Sequence, residues 1–321
     1  MNFRVLGLLA ALAVGAVSWA LTCAAWRFDE VAAGVRPLAA RRFERLTLIT
    51  LGTGGAYEDH NRRGPATAIA VGERVLLVDA GRGVAESLRA AQIPVSQPEG
   101  VLLTNLLPEN TLGLDDLLAM AWIDGRREPI ALRGPPGTRA LAAAVEAAVA
   151  PGIAARARGL GLDPAAPRFA AEEIGDAWSA ELGELRVRAG ALPGGPVEAL
   201  AYRFEWRDRS AAVSGTGWAP DALAALARGV HVLVHEAAFV PTPELAQEMQ
   251  IDEDPERLRR EAALHTGIDA VGDLARRAGA RTLVLVRLRP PPVFDLQITS
   301  QVDDRYDGRI VVASDGDELT P

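Results

Sequence analysis

Between Val101 and Leu118 the chain reads VLLTNLLPENTLGLDDLL. Val101 to Thr104 has the unbroken apolar character of the end of a strand buried on both faces. From Thr111 the leucines recur at helical spacing. The six residues between, Asn105 to Asn110, then form a loop at the carboxyl end of a strand, facing a helix N-terminus. That is where α/β folds place their chemistry, because the strand ends diverge there and helix N-termini present free N–H groups.

The rest of the chain from Leu46 repeats this grammar. Strands are expected at Leu46–Leu51, at Ala66–Val71 and Val75–Val78 as a hairpin, and at Pro129–Arg133. A second half begins near Leu185, with strands at Leu185–Ala189, Ala199–Trp206, Ala211–Val213, His231–His235, Thr282–Val286 and Arg309–Ala313. Helices are expected at Val84–Ala91, Thr111–Ile123, from Thr138 to about Val149, Pro220–Arg228 and Gly267–Ala278. Residues 151–180 have weak periodicity and many Pro, Gly and Ala, and read as an irregular excursion. Apolar strands alternating with helices in both halves give an α/β class with buried sheets.

Composition narrows the function classes. All 34 basic residues are Arg, the formal charge is −8, and no run of Arg forms a basic stripe. A nucleic-acid binder needs concentrated positive charge to exchange for counterions, so no nucleic acid is expected as a partner. The single cysteine, Cys23, excludes an internal disulfide framework and a cysteine-rich zinc site. It lies in residues 5–26, a stretch of 22 uncharged, mostly apolar residues behind Arg4 that is long enough to cross a bilayer. This segment reads as a signal anchor or a signal peptide, residues 27–45 as a linker, and 46–321 as the folded domain, exported to the periplasmic side of an inner membrane.

Four phrases recur in order along that domain: Gly52-Thr53-Gly54-Gly55, Val78-Asp79-Ala80-Gly81-Arg82-Gly83, Gly134-Pro135-Pro136-Gly137-Thr138 and Leu233-Val234-His235-Glu236-Ala237. Together with the 105–110 loop they resemble the metallo-β-lactamase superfamily, in its ribonuclease Z and arylsulfatase-like branch. The resemblance spans residue 46 to the C-terminus. It implies a four-layer αβ/βα sandwich, preceded here by the N-terminal apolar helix, with the active site at the edge where the two sheets meet. It also implies two zinc ions held by about five His and two Asp.

Laid on that pattern, the expected ligands are replaced. Asn105, Leu107, Glu109 and Asn110 occupy the metal-loop positions, Gly194 the position of the next His, Thr216 that of the bridging Asp, and Arg287 that of the last His. Zinc takes thiolate, imidazole or carboxylate donors, so of these only Glu109 could bind it unaided. Arg287 brings a permanent positive charge instead, and is expected to pair with Glu109 or Asp79. Asn105 and Asn110 would cap helix N–H groups or supply oxygens to a hard metal, and Glu109 would otherwise lie at the positive end of a helix dipole. These seven positions are expected to line one cleft, with Asp79 behind them orienting the site.

Two further phrases match the family's acid–carboxylate pair, His235-Glu236 and His265-Thr266. A His held by Glu is a sound general acid; the same bond could serve only to pin a loop. His60 and His231 look incidental. Ser214 is not in a nucleophile elbow, and Gly52–Gly55 lacks the Lys and spacing of a phosphate loop. The expectation is a membrane-tethered domain that binds no metal and acts as a non-catalytic binding or assembly module for a protein or small ligand. The alternative is a hydrolase of phosphodiester, sulfate ester or carboxyl ester bonds with an altered metal centre. Residual acid–base chemistry would fall to His265, Glu236 and His235.

Overall fold

The computed structural model describes residues 13–27, 37–55, 61–163, 167–215, 217–238, 240–241, 243–248, 250, 254–289 and 295–321. His60, Thr216 and residues 5–12 of the apolar stretch lie outside them. The chain forms two units, Met1–Ala39 and Ala40–Pro321. In the first, a helix runs over residues 13–27 (α1) with Val14, Val17, Trp19, Leu21 and Trp26 exposed.

The second unit holds two sheets. Its first half runs β1 (Phe43–Gly52), β2 (Ala66–Gly72), β3 (Arg74–Val78), α2 (Val84–Ala90), β4 (Gly100–Leu102), α3 (Pro108–Thr111), α4 (Leu114–Ile123), β5 (Ile130–Gly134), α5 (Thr138–Leu160) and β6 (Phe169–Glu173). The second runs β7 (Ser179–Leu182), β8 (Leu185–Ala191), β9 (Leu200–Trp206), β10 (Arg209–Ser214), α6 (Pro220–Leu226), β11 (Val232–Ala238), α7 (Pro243–Glu248), α8 (Pro255–Ala262), α9 (Ile268–Ala278), β12 (Thr282–Arg289), α10 (Asp295–Asp303), β13 (Arg309–Val312) and β14 (Glu318–Leu319). The sheet orders are β14-β1-β2-β3-β4-β5-β6 and β13-β12-β11-β10-β9-β8-β7.

Strand alternation explains the layers. Successive side chains of a strand point to opposite faces. In β12, Val284 and Val286 enter the core between the sheets, while Leu283 and Leu285 pack under α9 and α10. In β1, Leu46 and Leu48 face the other sheet, while Ile49 and Leu51 face the core that holds Leu88 of α2 and Leu117 of α4. These strands, like β11, are covered on both faces, so their sequences read as apolar runs. Burying a Leu or Val fully contributes ~1.5–3 kcal/mol, and this summed over three cores is what brings the strand ends to one edge. The result is the expected four-layer sandwich.

Three differences from the sequence reading have physical reasons. β1 starts at Phe43, inside the range read as linker, because Phe43 is buried and Arg41 stacks 4.7 Å above its ring. The helix expected from Thr111 begins at Leu114, after a separate turn, Pro108–Thr111, whose first residue has no N–H to place in a longer helix. Residues 151–180 are not irregular. α5 continues through Pro151 to Leu160 because Ile153 and Ala157, one helical turn apart, bury against Trp122. β6 and β7 follow as the outermost strands of their sheets.

Candidate functional site

At the edge where the sheets meet, two residues hold left-handed backbone: Asp79, directly after β3, and Arg287, within the last three residues of β12. Asp79 has φ 62° and Arg287 has φ 54°. Asp reaches that region readily; Arg rarely does. Each is locked by the backbone: Asp79 N–H donates to Leu102 O at 2.9 Å, and Arg287 N–H to Thr53 O at 2.8 Å. The turns aim the two side chains at each other. Arg287 Nη2 donates to Asp79 Oδ2 at 2.5 Å, with the side chains 10% and 1% exposed. Arg287 Nη1 donates to Asn110 Oδ1 at 2.7 Å and to the Gly215 carbonyl at 3.1 Å.

Asp79 is further fixed by Thr104, which gives it a backbone N–H at 2.8 Å and a hydroxyl at 2.9–3.0 Å. Burial pushes the Asp79 carboxyl up from its usual range, against the pull of the Arg287 charge and the Thr104 donors. Of the two partners expected for Arg287, the structure selects Asp79.

The 105–110 loop folds onto this pair. Asn105 Oδ1 accepts from Leu107 N–H at 2.9 Å and from Asn110 Nδ2 at 2.6 Å. Neither Asn caps α3 or α4, whose N-cap residues, Leu107 and Gly113, make no side-chain cap. Asn105 makes a local turn and Asn110 serves Arg287. Both are fully buried, and Asn105 Nδ2 has no partner among the described residues. Leu107 and Glu109 are half-buried at the rim.

Beside this cluster lies the second candidate set. His265 Nδ1 is 2.6 Å from Glu236 Oε2, with the Glu236 side chain 4% exposed and that of His265 28%. Burial draws the imidazole pKa down, but the hydrogen bond and charge of Glu236, helped by Glu109, outweigh it, so the His265 pKa is raised. Gly217 lies so close that an added Cβ would sit 2.0 Å from Thr266 N and 2.7 Å from Glu236 Oε1.

His235 does not belong to this pair. It is fully buried, its Nε2 is 2.7 Å from Thr266 Oγ1, and its Nδ1 is unpartnered among the described residues. Burial holds its pKa at about 4, so the ring is neutral near pH 7 and has no route to a substrate. The acid–base reading narrows to His265 and Glu236.

His265, Thr266, Gly217 and the N-terminal end of α9 line a groove of about 500 Å³. A larger groove of about 590 Å³ lies elsewhere, lined by residues of β7 to β10 and His231. Its arginines are matched by its own carboxylates, among them Arg186–Glu181, Arg203–Glu205 and Arg207–Glu184. It contains none of the candidate site residues.

The structure thus brings Asn105, Asn110, Arg287 and Asp79 together, with Leu107 and Glu109 on the same loop. Gly194 sits in an exposed turn at φ 94°, and a side chain there would meet open space. Thr216 lies outside the described residues. Thr104, Gly215 and Tyr202 were not legible as site residues. Gly215 acts through a carbonyl, which every residue type carries, and Thr104 through a backbone N–H and a hydroxyl whose partner only the fold supplies. Tyr202, from the facing sheet, donates its buried hydroxyl to Leu103 O at 2.7 Å.

These donors do not fit two zinc ions. Imidazole, thiolate and carboxylate are what zinc takes, and among the described residues no group of three or more His, Cys, Asp or Glu could hold a metal. The Asp79 carboxylate is engaged by a guanidinium and a threonine, and Leu107 offers no side-chain donor.

No family model matches the chain. Its curated relatives do. It is 32% identical over 251 residues to a ribonuclease Z of Mycobacterium sp. (strain KMS), covering 77% of this chain and 85% of that one. It is 27% identical over 278 residues to the ribonuclease Z of Mycobacterium bovis (strain BCG / Pasteur 1173P2), covering 84% and 96%. Among solved structures it resembles the metallo-β-lactamase-fold protein YhfI from Bacillus subtilis, with a TM-score of 0.65 and 16% identity, over 86% of this chain and 99% of that one. The short form of human tRNase Z gives 0.61 and 17% over the same shares.

The expectation of a non-catalytic binding or assembly module is overturned by these relatives, which carry the name of an enzyme over most of both chains. The structural neighbours show the fold, and the 32% relative shows the branch. The chain belongs to the ribonuclease Z family of the metallo-β-lactamase superfamily.

Proposed function

We propose that this chain hydrolyses phosphodiester bonds, at a centre altered from the usual one, with RNA as the substrate class that its curated relatives favour. The observation that carries this reading is the His265–Glu236 pair at 2.6 Å, with His265 lining the groove at the start of α9. Hydrolysis of a diester adds hydroxide from water to phosphorus and a proton to the departing oxygen. His265 suits the second task. Its Nδ1 is committed to Glu236, which fixes the tautomer and leaves Nε2–H to donate. Its raised pKa keeps that proton in place near neutrality. Arg287, paired with Asp79, orders the neighbouring loop by donating to Asn110 Oδ1. Glu109, half-buried on the loop, raises the His265 pKa from the other side.

The reading is tested by turnover of a folded RNA and of a bis-aryl phosphodiester, measured with chelator, with zinc and with manganese in turn. Turnover of the RNA, whose leaving group is an alkoxide, that falls in Glu236→Gln supports it. Loss of all turnover in every condition, with the protein folded, overturns it. The net charge of −8 makes the two substrates informative together. A small diester needs no extended basic surface, whereas RNA cleavage without one would require affinity from elsewhere.

A further inference from the structure

The structure assigns to Arg287 the role of resident cation of this cleft: its guanidinium ties the two sheets together and charges their meeting edge without a divalent ion. The inference stands on packing and hydrogen bonds and goes beyond the catalytic reading. Asp79 directly follows β3 in one sheet and Arg287 belongs to β12 in the other, so their 2.5 Å contact is a bridge between the halves of the sandwich. The other guanidinium nitrogen takes two more acceptors, Asn110 Oδ1 from the 105–110 loop and Gly215 O from the end of β10. One planar group therefore holds four segments that meet at the edge: the ends of β3, β10 and β12, and the loop after β4. An ammonium, with its single nitrogen, could not copy that fork.

Three observations show that the surroundings are built for this group. Arg287 and Asp79 both hold left-handed backbone, a cost that persists only where surrounding contacts enforce it. A Cβ at Gly215 would sit 2.3 Å from Thr104 Oγ1 and 3.1 Å from Arg287 Nη2, so the arginine and the residue behind Asp79 fill the space completely. The polarity of the loop also follows the arginine. Asn110 turns its oxygen to Arg287 and its Nδ2 to Asn105 Oδ1, which leaves Asn105 Nδ2, at the end of the relay, without a partner among the described residues. A chain of donors pointing away from a fixed positive charge is what a cation seated at Arg287 imposes.

The test is metal content and melting temperature of the full chain, read independently of turnover. Wild-type protein purified without chelator and dialysed against zinc is expected to hold much less than one zinc per chain. Its melting temperature should be the same with and without chelator. Arg287→Met leaves Asp79 buried and unpaired, and should melt roughly 5–10 °C lower. Asp79→Asn combined with Arg287→Met should recover part of that loss, and Arg287→Lys should fall between. If Arg287→Met fails to fold, Arg287→Lys and the wild-type zinc and chelator measurements still decide. Stoichiometric zinc whose removal lowers the melting temperature would overturn the inference. So would an Arg287→Met protein that melts with the wild type. A chain that proves inactive on every phosphodiester but behaves as expected here would lose the catalytic reading alone.

Discussion

Burial lowers the pKa of both histidines near Glu236, but only in His265 does the carboxylate outweigh it, so the two make pH predictions of opposite sign. His265 has its pKa raised by Glu236. Its pairing energy is fully present below the unfolded value, about pH 6.5, and is lost as pH rises through the folded one. Glu236→Gln should therefore destabilise the protein more at about pH 5.5 than at about pH 9, as read by urea unfolding; an equal loss at both would contradict the pairing. His235 is held neutral, with a pKa of about 4. Between about pH 6.5 and that value the unfolded chain takes up a proton that the folded one refuses, so His235 costs stability as pH falls, on the order of 3 kcal/mol in full. His235→Gln should flatten the acid limb of the stability curve, and an unchanged limb would show that the ring titrates freely. The Glu236–His265 pair was legible in the phrases around it, but the turn of His235 onto Thr266 was not. Adjacent residues of a strand face opposite ways, so His235 and Glu236 could not serve one pair, and only the fold brought His265 from 29 residues away.

At the scale of elements, the sequence was read well wherever both faces of a strand are buried, as in Val232–Ala238 and Thr282–Arg289, because such runs admit little else. It was read poorly where tertiary contact overrides a breaker. Pro151 within an alanine-rich stretch signals an end, since it removes a helical hydrogen bond and costs about 3 kcal/mol. α5 nevertheless continues, because Ile153 and Ala157 reach Trp122, whose indole N–H donates to Asp163 O at 3.3 Å. Pro151→Ala should restore the missing bond and raise unfolding stability by about 1–3 kcal/mol. A fall would mean that the proline fits a bend the packing needs. Tyr202 offers a second element-scale test, since its hydroxyl joins β9 to the end of β4 across the two sheets. Tyr202→Phe leaves a buried carbonyl unpaired and should cost about 1–2 kcal/mol; no change would mean that Leu103 O finds another donor.

For the whole molecule, the sandwich was legible because four phrases stood in order along the domain, whereas activity was not. Counting lost ligands at Leu107, Gly194, Thr216 and Arg287 argued for a binding module, and similarity over most of the ribonuclease Z chain overturned that. The count of missing groups said nothing of the acid pair that remains. The most direct test of the account compares wild type with His265→Ala on two diesters, one with an alkyl and one with an aryl leaving group. An alkoxide needs a proton as it departs and an aryl oxide hardly does. The account predicts a loss of roughly 10²–10⁴-fold in kcat/KM on the alkyl diester and little change on the aryl one. Equal losses on both, or no loss on either, would contradict it.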